Sequence, residues 1–500
     1  MNHFKKLLNM RQIILLLLFS LSFFEACLAQ PYFGNGFHNG WADHHSVVIW
    51  TRLTQTPNLN RVGKTFLIPE GDTYEKLRRI NDKDLLNQVQ LPPNSNLNDM
   101  EGACEGVMGE VRLIFFLKNK PSQKRVLNWA SVNGAKNFTY QWRLTDLQPN
   151  TTYEVWIEAR ATAQSKISDT IKGFFQTPPT AQTPKPILFS VVSCHDYIRR
   201  DDSLGGHQIY AAMLKNKPDF YVHTGDIEYY DKPSPYAFTE ELMRFKWNRL
   251  FALPLQRRFW AQTTTYFQKD DHDVLSDDSN PGMTYGAVTF ERGLEIFDKE
   301  QFPTNDSLFK TVRWGKDLQI WLLEGRNFRG KNNAPDGEDK TILGKTQKEW
   351  LMRTIAQSTA TFKVIITPTP ILGPDRGNKN DNLANKGFRY EGDEIRAFIN
   401  QQHNVFICNG DRHWQYVTHR ANTNLWEFGC GAGSDSHAGG WNPEDKLPEH
   451  RFLRVKGGYL TGQVNYIEKR PQLVFRHHDV AGEVVHEEIF SPQPSQAPRR

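Results

Sequence analysis

The chain has little that would suit it to nucleic acid, to a membrane span or to a cysteine-built scaffold. Over 500 residues the net charge is only +5, and there is no lysine- and arginine-rich run of the kind that tracks a phosphate backbone, so nucleic-acid binding is not expected. After the first 29 residues no stretch is apolar enough to cross a bilayer, which takes about 20 residues. Five cysteines are present, too widely spaced to form a paired zinc motif. Aromatic and hydrophobic residues are plentiful at 12% and 38%, which excludes a disordered chain. At roughly one domain per 100–200 residues the length suits two domains.

The N-terminus reads as a targeting segment. Lys5, Lys6 and Arg11 precede an apolar core from Ile13 to Phe24, and Ala29 offers a cleavage point before Gln30, so residues 1–29 are expected to be a signal peptide. Cys27 after Ala26 also resembles a lipoprotein site, but Phe24 and Glu25 fit that pattern poorly. The mature protein is therefore expected to be soluble and exported, whether periplasmic, extracellular or at the cell surface. Of its four cysteines, Cys104, Cys194, Cys408 and Cys430, the last two could form a disulfide or remain buried thiols.

From residue 30 to 177 the pattern is β. Ser46–Leu53, Gly109–Leu117 and Thr152–Arg160 alternate or run apolar between turn signals, as in a small β-sandwich of fibronectin-III-like type. Thr73 to Asn87 reads as a short helix, and His44 and His45 as exposed turn residues. The proline-rich connector Thr177 to Pro186 marks a boundary. Beyond it, strands at Ile187, Asp219, Asp317, Thr361 and Asn404 alternate with helix candidates at His207–Asn216, Lys345–Gln357 and Gly392–Gln402, which predicts an α/β catalytic domain over residues 187–490. Tyr459 to Phe490 returns to strands, with His477 and His478 read as hairpin surface residues. Residues 491–500 read as a disordered tail.

One stretch concentrates the chemistry. Tyr266 to Asp278 packs five aspartates and one histidine into thirteen residues, behind an apolar run from Phe259 to Phe267 that reads as a buried strand. Clustered carboxylates repel one another unless something cationic neutralises them. The other strand ends carry Cys194, Asp226 with Tyr229, Arg326, and Asp411 with His413. Thiolate and phenolate suit a transition metal such as ferric iron, whereas carboxylates suit calcium, magnesium or manganese, so the mixture points to at least two unlike ions. Two close ions suit phosphoryl transfer, with His272 as general acid or phosphate contact and Arg326 as a bidentate phosphate clamp. Asp270 and Asp273 are expected to orient backbone rather than to bind metal.

The ordered motifs S-C-H-D at Ser193, H-T-G-D-I-E-Y-Y at His223, T-T-Y-F-Q-K-D-D-H-D at Thr264, L-L-E-G-R at Leu322, L-G-K-T-Q-K-E-W-L at Leu343 and N-G-D-R-H-W at Asn409 resemble the alkaline phosphatase D family of metallophosphoesterases. S-V-V-I-W-T-R-L and C-E-G-V-M-G-E-V-R-L resemble that family's N-terminal β-sandwich. The resemblance implies a β-sandwich followed by a four-layer αββα catalytic domain, and an Fe3+ and Ca2+ site that hydrolyses phosphomonoesters or phosphodiesters by metal-activated hydroxide attack. Carried over by position, Cys194 and Tyr229 would hold iron, Asp226 would bridge, Asp271 would be a further ligand and Asp411 would bind calcium. His272 would be the phosphate-binding or acid histidine, and His413 a site residue without an assigned role.

Three positions depart from the family pattern. Asp277 and Asp278 stand where many relatives have an Asn-Asp pair, so one of them, with Asp277 taken as the candidate, would make the calcium pocket more anionic. Glu324 replaces a common aspartate, and Lys269 a common tryptophan. The substrate is expected to be a small or polymeric phosphate ester, with lipid, nucleotide and teichoic-acid-like diesters as alternatives. The rival outside enzymology is a calcium-binding surface protein. Oligomeric state stays open, and a monomer is compatible with the sequence.

Overall fold

The computed structural model describes residues 30–303 and 307–493. The expected signal peptide, with Cys27, lies outside them, as does most of the expected tail. The fold is mixed α/β, and alternation along its strands explains the layering. In Phe362–Thr367 and Val405–Asn409, residues Val364, Ile366, Phe406 and Cys408 join one core, while Ile365, Val405 and Ile407 join another. The same split separates Phe189, Val191, Phe220 and Val222 from Val192 and Tyr221. Successive strand side chains point to opposite faces, so each sheet must be covered on both sides.

The two sheets supply each other's inner cover. A six-stranded sheet runs in the order Thr264–Phe267, Phe220–His223, Ile187–Val192, Tyr459–Ile467, Arg470–His478 and Val484–Phe490, parallel through its first three strands. A seven-stranded sheet holds Leu318–Leu322, Phe362–Thr367, Val405–Asn409 and Trp426–Cys430 in parallel at its centre. Helices cover the outer faces. On the seven-stranded side, Gly344–Gln357 buries Gln347, Leu351 and Ile355, and Arg389–Asn400 buries Gly392, Ile395, Arg396 and Ile399, both at helical spacing. On the other side, the helices Gln208–Asn216, Glu240–Phe251 and Pro254–Trp260 pack Ile209, Trp247 and Phe259 over Tyr221 and Phe267.

The first half forms a three-stranded antiparallel sheet of Phe37–Gly40, Val47–Arg52 and Thr139–Leu144, and a second sheet built on Glu110–Leu117, Thr152–Arg160 and Asp169–Gln176. It also braces the acid-bearing strand. Asn39 donates to the Thr263 carbonyl at 2.7 Å and accepts from Thr265 N at 3.0 Å, and Tyr266 Oη donates to the Ala42 carbonyl at 2.7 Å.

Several expectations need correction. The apolar run at Phe259 is not one strand: Phe259 and Trp260 end the helix Pro254–Trp260, and only Thr264–Phe267 is extended. Proline at the first helical position starts that helix, because its fixed φ is already helical. The Thr73–Asn87 helix is two, Gly71–Leu77 and Lys83–Gln88. Cys104, Cys194, Cys408 and Cys430 are all free and buried. His477 and His478 are buried: His477 Nε2 bonds the Gly429 carbonyl at 2.9 Å across the sheets, and His478 stacks on Tyr459.

Buried neutral histidines should make the fold acid-sensitive. Burial depresses His38 and His477 to about 3 despite a backbone hydrogen bond to each. An unfolded histidine takes its proton near pH 6.5, whereas these two resist it in the folded state. Their stabilisation is therefore complete above that pH and is lost as pH falls toward 3, at about 1.4 kcal/mol per pH unit for each residue. Urea unfolding near pH 8 and near pH 5 should show a clear loss at the lower pH, and a smaller one in His38→Gln. Equal midpoints at both values would contradict this.

Candidate metal centre

The site lies on the rim where the strand ends of both sheets meet. Cys194 follows Ile187–Val192, Asp226 follows Phe220–His223, and Asp411 follows Val405–Asn409. All three have left-handed φ, at +47°, +54° and +63°, a conformation that costs about 1–3 kcal/mol outside glycine and clusters at functional sites. Gly225, at φ +103°, lets its turn press against the Asp270 backbone, where a Cβ would meet Asp270 N at 2.6 Å.

Asp270 opens the short helix Asp271–Val274 in a reciprocal cap with Asp273. Asp273 then ties this turn to the neighbouring one. Its Oδ2 accepts from Asp226 N at 2.7 Å and Asp270 N at 2.9 Å, and its Oδ1 from Ile227 N at 2.8 Å and Glu228 N at 3.2 Å. Burial lifts this carboxyl to about 7 against the pull of those N–H groups. Asp273 thus has the orienting place expected for it.

Around Asp226 the potential ligands converge. Its Oδ2 accepts from Tyr229 Oη at 3.0 Å and lies 3.6 Å from Cys194 Sγ, and Tyr229 Oη is 3.1 Å from His413 Nε2. Four sets of possible ligand atoms each lie within 4.8 Å of one another: Cys194, Asp226 and His413; Asp226, Asp271 and His272; Asp226, Asp270 and Asp411; and Asp271, Asp277 and Asp278. Asp226 belongs to three of the four.

The donor set fits cations. Asp226 Oδ1, Asp270 Oδ2 and Asp411 Oδ2 are buried without a hydrogen-bond donor, a costly arrangement for anionic oxygens. Asp411 Oδ2 faces Arg412 Nη1 at 3.0 Å, outside hydrogen-bonding angle. Burial, and then Asp226 and Asp411, push the Cys194 thiol far up; burial, Asp226 and Cys194 do the same to the Tyr229 phenol. A cation among these groups would reverse that balance and favour thiolate and phenolate.

The second side of the site is organised by His272 and Arg326. His272 Nδ1 pairs with Asp231 Oδ1 at 2.7 Å, while Nε2 is 3.9 Å from Asp277 Oδ1. Burial alone would depress the imidazole, but Asp231, Asp271 and Asp226 outweigh it and raise His272 well above its usual range. Arg326 is only 2% exposed. It is bound to Asp270, lies 3.5 Å from Asp271 Oδ1 and donates to the Ser279 carbonyl at 3.2 Å. The expected phosphate clamp is therefore engaged as an internal counter-ion.

Asp277 sits at the edge, its side chain 62% exposed and 3.7 Å from Lys379 Nζ. Asp278 lies deeper, donating its N–H to Asp271 Oδ2 at 2.6 Å. The geometry adds Asp270 to the possible ligands. Three neighbours were missed in the sequence. Asp231 closes the H-T-G-D-I-E-Y-Y-D run and was open to recognition there. Arg199 holds Asp196 through two nitrogens and lies 5.1 Å from the Tyr229 ring. His437, 3% exposed, has both ring nitrogens unpartnered and sits 4.5 Å from the His413 ring and 4.9 Å from that of Tyr229; a lone histidine in S-D-S-H-A carries no local signal.

Comparison with known proteins agrees with this geometry. Residues 296–485 match the model of the PhoD-like phosphatase family. Alkaline phosphatase D of Bacillus subtilis (strain 168) is 22% identical over 285 residues, covering 48% of this chain and 48% of that protein, so the chain spans about half the length of the curated relative it matches. A solved structure of PhoD, 17% identical, superposes with a TM-score of 0.65 over 93% of this chain and 89% of that one. Purple acid phosphatase PPD1 from yellow lupin (Lupinus luteus) seeds, 9% identical, gives 0.60 over 93% and 77%. These two likenesses show a shared fold. With its rim motifs and the match over residues 296–485, the chain is similar to the PhoD-like phosphatases.

Proposed function

We propose that the protein is an exported, metal-dependent phosphoesterase acting on phosphomonoesters, phosphodiesters or both. The observation that carries this reading is Asp226, a buried carboxylate with one oxygen lacking any donor, common to three sets of potential ligands. The sulfur, phenol and imidazole of Cys194, Tyr229 and His413 suit a transition metal such as Fe3+, and the carboxylates of Asp270, Asp271, Asp278 and Asp411 suit Ca2+. Such ions would supply Lewis acidity and an activated water. The leader at residues 1–29 supports export.

The chain's own part is to position and to move a proton. Asp231 fixes the His272 ring through Nδ1, leaving Nε2 toward the site. With its affinity for protons raised by Asp231, Asp271 and Asp226 against burial, His272 is a donor at neutral pH. As the ester bond breaks, the Nε2 proton passes to the leaving oxygen and the ring is left neutral. Asp273 holds the backbone of Asp226 and Asp270 in place meanwhile, and Arg326 balances Asp270 and Asp271.

His272→Ala should then cost about 10²–10⁴-fold in turnover of alkyl phosphates, the usual scale of general acid catalysis. The loss should be much smaller on p-nitrophenyl phosphate, whose leaving group needs no proton. An equal loss on both would assign His272 to phosphate binding instead. No turnover of aryl phosphate or bis-aryl phosphate by the wild-type protein would reject the phosphoesterase reading itself.

A further inference from the structure

Beside the centre lies a cavity of about 320 Å³ lined mainly by cationic side chains. Its cations are Arg376, Lys379, Lys386, Arg389, Arg396 and Arg420, against two carboxylates. Both carboxylates are engaged. Asp393 accepts from Arg396 at 2.7 Å and Arg389 at 3.4 Å, and Asp375 accepts from Arg412 at 2.7 Å, outside the cavity lining. Arg396 and Arg420 are fixed further by the Ile371 and Leu372 carbonyls, at 2.7 Å and 3.2 Å.

Arg376 and Lys386 remain available. The Arg376 guanidinium lies 5.5 Å from the Trp414 ring; its Nε is buried without an acceptor, and the nearby Asp375 oxygen is 3.8 Å away. Lys386 is exposed at the cavity edge. The cavity also shares a wall with the reacting centre. Lys379 Nζ reaches Asp277, itself beside His272 Nε2, and Asp375 holds Arg412, which faces Asp411. An arginine held against an aromatic ring with unengaged donors suits a phosphate or carboxylate.

We propose that this cavity is a second anion subsite, taking a phosphate or carboxylate of the substrate other than the scissile phosphate. Preferred substrates are then esters with two anionic groups. The inference rests on the phosphoesterase reading above, and the test separates the two.

The test compares the metal-loaded protein on monophosphates of α,ω-alkanediols, on bisphosphates of the same diols over graded chain lengths, and on ω-phosphoalkyl carboxylates. At a matching length, a second anion should raise kcat/KM about ten- to hundredfold, the worth of one or two charge-assisted hydrogen bonds, chiefly through KM. This gain must exceed the statistical advantage of two equivalent phosphates. Comparing the bisphosphate and carboxylate arms tells which anion is taken. In Arg376→Ala/Lys386→Ala the preference should vanish while monophosphate turnover, which also reports correct folding, is unchanged. Equal kcat/KM for mono- and dianionic esters at every length, or a preference that survives in the double variant, would overturn the subsite. No turnover of any ester would overturn the phosphoesterase reading and the subsite with it.

Discussion

Asp226→Asn is expected to fold like the wild-type protein and to lose phosphoester hydrolysis by roughly 10²–10³-fold or more, the scale seen when one preorganised electrostatic group is removed from an active site. The fold should survive because the backbone at residue 226, at φ +54°, is held by its N–H bond to Asp273. Asparagine also adopts left-handed φ readily. The hydrogen bond from Tyr229 Oη can persist to the amide oxygen. What disappears is the anionic charge shared by three sets of ligand atoms, and a neutral amide is a poor bridge between cations. Normal secondary structure with full turnover would remove Asp226 from the centre.

Arg326→Ala should have the largest effect on stability. The guanidinium is buried, is bonded to Asp270 and lies 3.5 Å from Asp271. Burial lifts Asp270 to about 6 even with Arg326 beside it, and Arg326 and His272 hold Asp271 low against burial. Removing the cation leaves two facing carboxylates without it, a change that typically costs about 3–5 kcal/mol. A chemical-unfolding titration of the metal-depleted protein should show that loss. A residue whose main partner is the substrate would behave differently: its alanine variant would keep wild-type stability and lose only KM or kcat. Unchanged unfolding with raised KM would restore Arg326 as a phosphate clamp.

The sequence made the layered α/β fold legible because its strands are short apolar runs with Gly-Asp or Cys-His at their ends. A strand buried on both faces has no polar face to interrupt the run. The residues gathered at the rim could be named for the same reason: Cys194, Asp226, Asp271, His272 and Asp411 each follow such a run closely. Local pattern fails where burial depends on a distant partner. His477 and His478 point to opposite faces of one strand, and only the arrival of Gly429 on one side and Tyr459 on the other encloses both. At Trp260 the pattern is ambiguous, because aromatic and β-branched residues look alike in a short helix and a short strand; Pro254 at the first helical position decides for the helix. The rim position of Arg326 suggests a substrate contact, but the carboxylates of Asp270 and Asp271 have the nearer claim on its charge. His437 comes from a loop after Trp426–Cys430, and nothing in its neighbours marks it.

The proposed activity requires cations at Asp226, so the most direct measurement is metal content per chain by elemental analysis of purified wild-type protein beside Asp226→Asn. Wild-type protein should hold a transition metal, with iron expected, together with calcium, and lose both metal and phosphoester turnover on chelation. Asp226→Asn should be depleted of metal while still folded. Wild-type protein that hydrolyses phosphoesters without bound metal and is indifferent to chelators, or an Asp226→Asn variant with its full complement of metal, would contradict the account.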